Sequence, residues 1–349
     1  MRARLRRLAR RVRAAAPFVP GSAVVLVYHR ATDLAVDPWG LAVSPGHLAE
    51  HLELLHRHAR PTSAAGLADL LEAGSVPRGT VVVTFDDGYA DLATTVRPAL
   101  DRADVPATMF VVSDAVDDAG EFWWDALERV FLTGAPLPGR LELRIDGTER
   151  SWSVPATSEL PAGGAVDHAS WRAWHPPPTE RHRIYRETWE ALRVVEPASR
   201  DQLVAGILAW AGIAVTARAS HRTVTTAELA ELASDLLIEI GGHTRTHASL
   251  GALSPAGQLA EMVDGRDRLR DRIGRPVPSL AYPFGRDPDV TAATVALARE
   301  AGFRIAFTTH QGSASTRSNL LALPRVYVGD VDGDGFARML LNETGLRVG

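Results

Sequence analysis

Two neighbouring aspartates stand directly after an apolar run, and their type and position suit them to hold a metal ion. The run Val81-Val82-Val83-Thr84-Phe85 leads into Asp86 and Asp87, and Gly88 follows. An apolar run of this length, closed by a turn residue, is typical of a buried parallel strand. Proteins of the α/β class place their reactive groups at the carboxyl ends of such strands. Because adjacent carboxylates repel each other, a bound cation would lower the cost of holding both.

A pair of histidines four residues apart supplies the other half of a metal site. His243 and His247 follow a second predicted strand, which ends at Gly241-Gly242. Histidines at this spacing lie on one face of a helical turn, about 6 Å apart, and could bind one metal ion through two nitrogens. The spacing alone is a weak signal, and the His-Glu-x-x-His pattern of zincin proteases is absent. The two halves are joined by position, because the carboxyl ends of parallel strands meet at one face.

The composition is that of an ordinary globular protein and excludes several kinds of site. The chain has 349 residues, of which 46% are hydrophobic and 23% charged, and this length fits one α/β barrel with an insertion. It has no cysteine, so disulfides, thiolate zinc sites and cysteine nucleophiles are excluded and a metal ion must be bound by His, Asp or Glu. Beyond residue 13 the acidic residues outnumber the arginines, which argues against a nucleic-acid-binding surface.

The first 20 residues form a basic segment of their own. Residues 1–13 carry seven arginines and no acid, with Leu5, Leu8 and Val12 at helical spacing. Two interpretations are open: a basic amphipathic helix on an anionic membrane face, or a solvated terminus. Prolines interrupt the stretch after the arginines, so it lacks the apolar core of a secretory signal. We therefore expect a cytoplasmic protein, peripheral to the inner membrane face in the first interpretation.

The elements that position these residues alternate between strands and helices. Strand-like segments lie at 23–28, 80–85, 107–112, 236–240, 304–308 and 323–328, and helical patterns lie near 44–55, 67–71, 91–103, 180–195, 199–211, 225–234, 255–273 and 289–301. This order predicts a parallel sheet wound by helices, with closure into a barrel as one outcome. A Trp-rich insertion at about 120–222 interrupts the domain of residues 21–349. Its tryptophans could stack on sugar rings or pack inside the insertion.

Three motifs, in this order, resemble those of the polysaccharide deacetylases, which form carbohydrate esterase family 4 with its NodB homology domain. They are Thr84-Phe85-Asp86-Asp87-Gly88, His243-x-x-x-His247 and Tyr282-Pro283-Phe284-Gly285; Leu323-Pro324-Arg325 also resembles a late segment of some branches. The resemblance covers about 23–30, 80–116 and 236–330. It implies a distorted (β/α) barrel, a divalent metal ion that is most often zinc, and a hydrolase that removes N-acetyl groups from amino sugars of a glycan or glycan precursor.

The resemblance also assigns roles to residues. It implies that the metal ligands are Asp87, His243 and His247, and that Asp86 is the general base. It implies that the backbone N–H of Phe284, after Pro283, donates to the oxyanion, and the Phe284 ring is expected to wall the acetyl pocket. For Tyr89, beside the aspartates, two alternatives are open, contact with the substrate or packing.

Two positions depart from the family pattern. Leu280 stands where the family often has an arginine that braces the catalytic base. Arg286 or Arg325 could replace it, although an exposed side chain is the default expectation for each. The family's usual general acid is the histidine of a Leu-x-His motif near the end of the barrel, and this sequence has no such motif there. We expect His29, at the end of the first predicted strand, to protonate the leaving amine, and His310 is the second candidate.

Other functions remain open at this stage. The same chemistry would serve an O-acetyl esterase, or an amidase or deformylase acting on a small molecule, and a lipid-linked or nucleotide-linked sugar is among the expected substrates. A catalytically silent glycan-binding protein would not need Asp86, and a membrane-docked scaffold would leave the predicted metal ligands unexplained. Residues 330–335 resemble half of a calcium loop, but Leu341 at its twelfth position cannot bind the ion, so an acidic turn is expected.

Overall fold

The computed structural model describes residues 21–156 and 170–343, so the basic segment of residues 1–20 lies outside the described part. The chain divides into two units. The first consists of the chain up to Asp33, Leu41–Asp117 and the chain from Val224 onward; the second consists of Leu34–Gly40 and Asp118–Thr223. None of the described helices is long and apolar enough to span a bilayer.

Strands and helices alternate along most of the chain. The strands are β1 (Ser22–Tyr28), β2 (Arg30–Ala31), β3 (Ala42–Val43), β4 (Arg60–Thr62), β5 (Thr80–Phe85), β6 (Ala107–Val111), β7 (Arg140–Ile145), β8 (Thr148–Ser153), β9 (Ile238–Gly242), β10 (Ser279–Ala281), β11 (Ile305–Phe307), β12 (Ala314–Ser315) and β13 (Val326–Tyr327). The helices are α1 (Pro45–His58), α2 (Ala64–Glu72), α3 (Arg97–Ala103, after a π-helical turn at Leu92–Val96), α4 (Trp123–Phe131), α5 (Glu180–Arg193), α6 (Pro197–Trp210), α7 (Thr226–Ser234), α8 (Pro255–Ile273), α9 (Ala292–Glu300) and α10 (Gly333–Glu343).

The first unit is built on a parallel sheet with the strand order β11-β10-β9-β6-β5-β1. Residues 320–328 connect its two edges. Val326 and Tyr327 pair with β1, whereas Leu323, three residues earlier, pairs with Phe307 of β11. The N–H of Thr308 donates to the Leu323 carbonyl, and the N–H of Arg325 donates to the His310 carbonyl. The sheet therefore curls round on itself, and the predicted distorted (β/α) barrel is confirmed.

Strand β5 shows why its sequence is an unbroken apolar run. Val81, Val83 and Phe85 pack in the core cluster that contains residues of α1, α3 and α7, while Val82 belongs to a second cluster with Phe110. Successive side chains point to opposite faces of a strand, so a strand that is buried on both faces must be apolar throughout. The strand thereby brings Asp86 and Asp87 to its carboxyl end.

Strand β9 begins two residues later than the sequence predicts. Leu236, expected in the strand, precedes it and is 98% exposed, whereas Gly241 and Gly242 belong to the strand. The strand therefore runs two residues beyond the predicted segment 236–240 and includes both glycines. A Cβ at Gly241 would lie 2.4 Å from the Phe110 ring, so the absence of a side chain there makes room for the aromatic ring.

The second unit contains the predicted Trp-rich insertion. Its aromatic cluster places the Trp189 ring 4.2 Å from Trp39 and 5.7 Å from Trp123 between ring centroids, and Trp123 packs edge-on to Trp124. Trp123 and Trp124 are buried, whereas Trp174 is 58% exposed. For the clustered rings, packing inside the unit is the alternative that the structure favours.

Candidate metal and catalytic site

The two motifs with metal-binding residues lie close together at the carboxyl ends of neighbouring strands. Asp86 and Asp87 follow β5, and His243 follows β9, with β6 paired between these two strands. The backbone at the ends of these strands is itself hydrogen-bonded: the N–H of His243 donates to Val111, and the N–H of Val112 donates to Asp87. The sheet therefore fixes the separation of residues that are far apart in the sequence.

Three buried side chains converge on one point. Asp87 Oδ1 lies 3.4 Å from His243 Nε2 and 3.5 Å from His247 Nε2, and the ligand atoms of all three residues lie within 4.8 Å of one another. Tetrahedral coordination with bonds of about 2.1 Å separates two ligand atoms by about 3.4 Å. The spacing and the two-nitrogen, one-oxygen donor set therefore fit a divalent ion such as Zn²⁺.

The hydrogen bond of His243 fixes which of its nitrogens can bind the ion. Nδ1 lies 2.7 Å from the carbonyl oxygen of Ala281 in β10. A carbonyl only accepts, so Nδ1 carries the proton and donates it. The lone pair is then on Nε2, the nitrogen that faces Asp87. A backbone carbonyl that orients a histidine in this way is a usual second partner of a metal ligand.

The residues from His243 to His247, which we call the histidine loop, do not form the helical turn that the spacing predicts. Thr244 and His247 have φ angles of 64° and 57°, which are left-handed values that a right-handed helix does not contain. The hydroxyl of Thr244 accepts the N–H of His247 at 3.1 Å. The two imidazoles meet because the loop folds back, with their ring centroids 4.8 Å apart.

Backbone strain is concentrated in this region. Among the described residues, seven non-glycine residues have a positive φ, and four of them are Asp87, Thr244, His247 and Phe284. Such conformations cost on the order of 1–3 kcal/mol for residues with a Cβ and persist where surrounding contacts enforce them. Their position in the three motifs indicates that the fold imposes the geometry of the ligands.

Asp86 is held by a buried arginine from the segment that closes the sheet. Arg325 Nη1 and Nη2 donate to the two carboxylate oxygens of Asp86, each at 2.7 Å, and Nε donates to the Thr308 carbonyl at 3.0 Å. Arg325 is fully buried, so the default expectation of an exposed side chain is wrong for this residue. Arg286 is exposed and donates from Nε to the Thr309 carbonyl. Arg325 therefore braces Asp86, a role that the uncharged Leu280 cannot perform.

The charges in the site shift the pKa values of its acids and bases in opposite directions. Burial works to raise the pKa of Asp86, but the guanidinium of Arg325, with His243 and His29 nearby, holds that pKa below its usual value. Burial opposes ionisation of Asp87 too, and the nearby imidazoles of His243, His29 and His247 together hold the pKa of Asp87 low. Burial works to lower the pKa of His243, but the carboxylates of Asp87 and Asp86 and the Ala281 carbonyl together raise this pKa above its usual value. Both aspartates are therefore carboxylates at neutral pH.

Two of the predicted auxiliary residues have distinct surroundings. His29 is partly buried after β1, near both aspartates, and its Nδ1 has no hydrogen-bond partner among the described residues. Tyr89 is fully buried, with the guanidinium of Arg30 4.1 Å from its ring centroid. Of the two alternatives for Tyr89, packing is therefore favoured. The second candidate acid, His310, has an exposed side chain.

The third motif forms a tight turn beside the histidine loop. The Phe284 ring contacts the His247 ring edge-on, with centroids 4.9 Å apart. Phe284 has a φ of 60°, and the N–H of Gly285 donates back to the Pro283 carbonyl. The Thr309 hydroxyl donates to the Phe284 carbonyl, and this hydrogen bond joins the turn to the chain just after β11. The turn thus places an aromatic ring against one of the three converging side chains.

Comparison with known proteins agrees with this architecture. A family model described as polysaccharide deacetylase matches residues 73–137 and 198–306. The Bacillus subtilis protein YxkH, whose name places it with the polysaccharide deacetylases, is 32% identical over 91 residues. That match covers 26% of this chain and 32% of the length of YxkH.

Two solved structures share the fold. One is the Streptococcus pyogenes deacetylase PplD in complex with acetate, with a TM-score of 0.57, 17% identity, and coverage of 92% of this chain and 99% of that one. Another is the polysaccharide deacetylase BC0361 from Bacillus cereus, with a TM-score of 0.55, 16% identity, and coverage of 92% and 69%. The chain belongs to the polysaccharide deacetylase family, carbohydrate esterase family 4 with its NodB homology domain.

Proposed function

We propose that the protein is a metal-dependent hydrolase that removes N-acetyl groups from amino sugars of a glycan or glycan precursor. Family membership supports glycan deacetylation. The observation that carries the finer proposal is the pairing of two carboxylates with different partners. Asp87 faces two imidazoles at ligand spacing, while Asp86, the next residue, faces Arg325. One carboxylate can therefore bind an ion while its neighbour remains available as a base.

In this proposal Asp87, His243 and His247 hold the ion. A divalent ion such as Zn²⁺ supplies Lewis-acid polarisation of the acyl oxygen and lowers the pKa of water. Asp86 takes a proton from the attacking water. A carboxylate has about four acceptor sites, and Arg325 uses two of them, so Asp86 keeps acceptor capacity while it is held in place.

The remaining steps are assigned to residues around the aspartates. His29 protonates the leaving amine; its proximity to both carboxylates and the absence of a partner for its Nδ1 among the described residues support this role. The Phe284 ring forms a wall of the acetyl pocket beside His247, and the backbone N–H of Phe284 donates to the oxyanion. Pro283 sets the turn that carries Phe284.

Two alternatives differ in substrate or in activity. An O-acetyl esterase, or an amidase or deformylase on the same fold, would use the same residues, so only the substrate separates them from the leading proposal. A catalytically silent glycan-binding protein is disfavoured by the buried Arg325–Asp86 pair. Burying a carboxylate and a guanidinium costs several kcal/mol each. A catalytic mechanism needs this carboxylate as its base, whereas a protein that only binds a glycan does not. The cytoplasmic placement and the membrane contact of the basic segment stay predictions.

Acetate release from a panel of N-acetylated and O-acetylated glycans tests the proposal. We expect release from N-acetylated amino sugars, and a fall of about 10²- to 10⁴-fold for Asp86→Asn with metal binding retained. Asp101→Asn, an exposed change on α3, is the matched control and should act as the wild type does. Normal turnover by Asp86→Asn would refute the assignment of the base, and release from O-acetylated glycans alone would favour the esterase.

A further inference from the structure

We propose that Glu261 and Gly265, one turn apart on α8, form a cradle that sets the geometry of the histidine loop, and that Glu261 is a positioning residue for the metal ion. The proposal deepens the proposed function and rests on it. Neither residue belongs to the three motifs or to the set of converging ligands. Because residues four apart lie on one face of a helix, both can face the same loop.

Glu261 satisfies the polar groups in the middle of the histidine loop. Its Oε2 accepts the backbone N–H groups of Arg245, at 3.2 Å, and Thr246, at 2.9 Å. Its Oε1 accepts the Thr246 hydroxyl at 2.9 Å and lies 3.5 Å from Arg245 Nε. The carboxylate is 4% exposed, so loss of these bonds would leave buried N–H donors unpaired. Both donors lie between the two histidines, where an unpaired group would favour a different loop conformation.

Gly265 lets the helix approach the loop backbone. A Cβ at this position would lie 2.6 Å from the carbonyl carbon of Thr244 and 2.8 Å from the nitrogen of Arg245. These distances are too short for any real Cβ contact, so an added methyl group must displace the loop. Glycine in the interior of a 19-residue helix is unfavourable relative to alanine, and the close approach explains why it stands there.

The carbonyl groups of the loop are fixed as well. The N–H of Ser113 donates to the Thr244 carbonyl at 3.2 Å, and the N–H of Asp114 donates to the Arg245 carbonyl at 2.9 Å. The loop is thus clamped by hydrogen bonds from both α8 and the segment after β6. This clamp holds Thr244 and His247 in their left-handed conformations, which a free loop would relax. The position of His247 Nε2 relative to Asp87 therefore depends on Glu261 and Gly265.

The test measures metal affinity rather than turnover. Metal-free wild type, Glu261→Ala, Glu261→Gln and Gly265→Ala are titrated with Zn²⁺ against a chromophoric chelator, and with Co²⁺ to record the visible spectrum. We expect Glu261→Ala and Gly265→Ala to raise the Zn²⁺ dissociation constant about 10- to 100-fold. Glu261→Gln retains an acceptor for the two N–H groups and loses only the ion pair with the partly exposed Arg245. Its Zn²⁺ dissociation constant should therefore stay within about fivefold of the wild-type value.

Matched changes elsewhere separate this role from general damage. Glu190→Ala changes an exposed glutamate on α5, and Gly206→Ala changes a helical glycine on α6 around which a Cβ would meet nothing within 4 Å. Both should leave the dissociation constant and the Co²⁺ spectrum unchanged, and circular dichroism should show all variants folded. If the wild type binds Zn²⁺ and the folded variants Glu261→Ala and Gly265→Ala bind it equally well, the cradle is refuted and the metal site is not. If the wild type binds no Zn²⁺, the metal site and the cradle both fall.

Discussion

At the scale of single residues, the site depends on two adjacent carboxylates, Asp86 and Asp87, that have different partners. At the end of a strand, the side chains of consecutive residues point in opposite directions. The two carboxylates therefore meet different partners. Asp87 faces two imidazoles, and Asp86 faces the guanidinium of Arg325. The positive φ of Asp87, at 74°, marks the point at which the chain leaves β5 and separates the two side chains.

We predict strong energetic coupling between Asp86 and Arg325. Arg325→Met leaves the Asp86 carboxylate buried without its main partner and should lower the free energy of unfolding by about 3–5 kcal/mol. In the double variant Asp86→Asn/Arg325→Met no charge of the pair remains, so much of this loss should be recovered. Urea unfolding of the metal-free proteins gives the coupling from a double-mutant cycle.

The exposed pair formed by Arg304 and Glu72 is the control for this cycle. The same cycle with Arg304→Met and Glu72→Gln should show little coupling because solvent and salt screen that pair. If the buried and exposed cycles gave equal coupling, the bidentate contact to Asp86 would not be a stabilising interaction of the folded chain.

The sequence identifies Asp86, Asp87, His243 and His247, but it leaves the partner of Asp86 open between Arg286 and Arg325. The ligand motifs stand at the ends of strands that their own apolar runs reveal. Arg325 lies 239 residues after Asp86, in a short segment whose two paired residues give little pattern. Only closure of the sheet between β11 and β1 brings its side chain to the aspartate, and closure is a tertiary property.

At the scale of elements, a network of hydrogen bonds joins helix α10 to helix α1. It runs through residues 330–333, where the sequence predicts only an acidic turn. Asp330 accepts the backbone N–H of Ser44 at 2.9 Å and pairs with His47, and Glu50 accepts the N–H of Gly333 at 2.7 Å. His51 Nε2 donates to the Val331 carbonyl at 2.7 Å, so its Nδ1 accepts from the Tyr28 hydroxyl. The acidic residues thus dock the chain that follows β13.

This network makes stability depend on pH. Burial lowers the pKa of His51 from 6.5 to about 4. Between these values the unfolded chain binds a proton that the folded chain does not, so stability should fall as the pH falls from 6.5 toward 4, by up to about 3 kcal/mol. Above pH 6.5 the full stability is present. Urea unfolding at pH 4.5 and 7 measures the difference.

Replacement of His51 identifies the source of this dependence. His51→Gln keeps hydrogen-bonding capacity but does not titrate, so its stability should vary less between the two pH values. His56→Gln changes an exposed histidine of the same helix and should retain the wild-type pH dependence. Equal pH dependence of the wild type and His51→Gln would show that other groups are responsible.

Strand β9 depends on one glycine for packing. Gly241→Ala should lower the free energy of unfolding by about 1–3 kcal/mol, because its Cβ would overlap the buried Phe110 ring. Gly242→Ala is the control, since its Cβ would meet atoms only at 3.7 Å or beyond, which is ordinary contact. Thermal unfolding that ranked the two variants in the opposite order would contradict this account of the strand.

The position of β9 shows where sequence patterns stop being informative. The run Leu236–Ile240 is the more apolar choice, yet the strand begins at Ile238 and includes both glycines. The shift follows from the Phe110 ring of the neighbouring strand, which fills the space above Gly241. A pattern within one segment does not reveal a side chain that comes from another.

At the scale of the whole molecule, the family motifs belong to the first unit, and the Trp-rich insertion belongs to the second. The family model leaves residues 138–197 unmatched, all within the second unit. The fold class was predictable from the alternation of strands and helices together with the motifs. The interior of the insertion was not, because its tryptophans are compatible with both packing and sugar binding until their burial is known.

Metal binding should stabilise the first unit as a whole. An ion that binds only the folded chain adds about 2.7 kcal/mol at a free concentration 100 times its dissociation constant, so Zn²⁺ should raise the midpoint of thermal unfolding. His247→Ala removes one ligand and should lose this increase. Differential scanning calorimetry with and without Zn²⁺ measures the effect, and an equal increase for His247→Ala would place the ion elsewhere.

Zinc titration of metal-stripped protein, followed by acetate release from an N-acetylated glycan, tests the central claim most directly. We expect no release without metal, and a rate that rises with added Zn²⁺ and levels off at one equivalent per chain. Asp87→Ala and His243→Ala should show no such rise. Full activity of the stripped wild type, or equal reactivation of these variants, would contradict a single catalytic ion held by Asp87, His243 and His247.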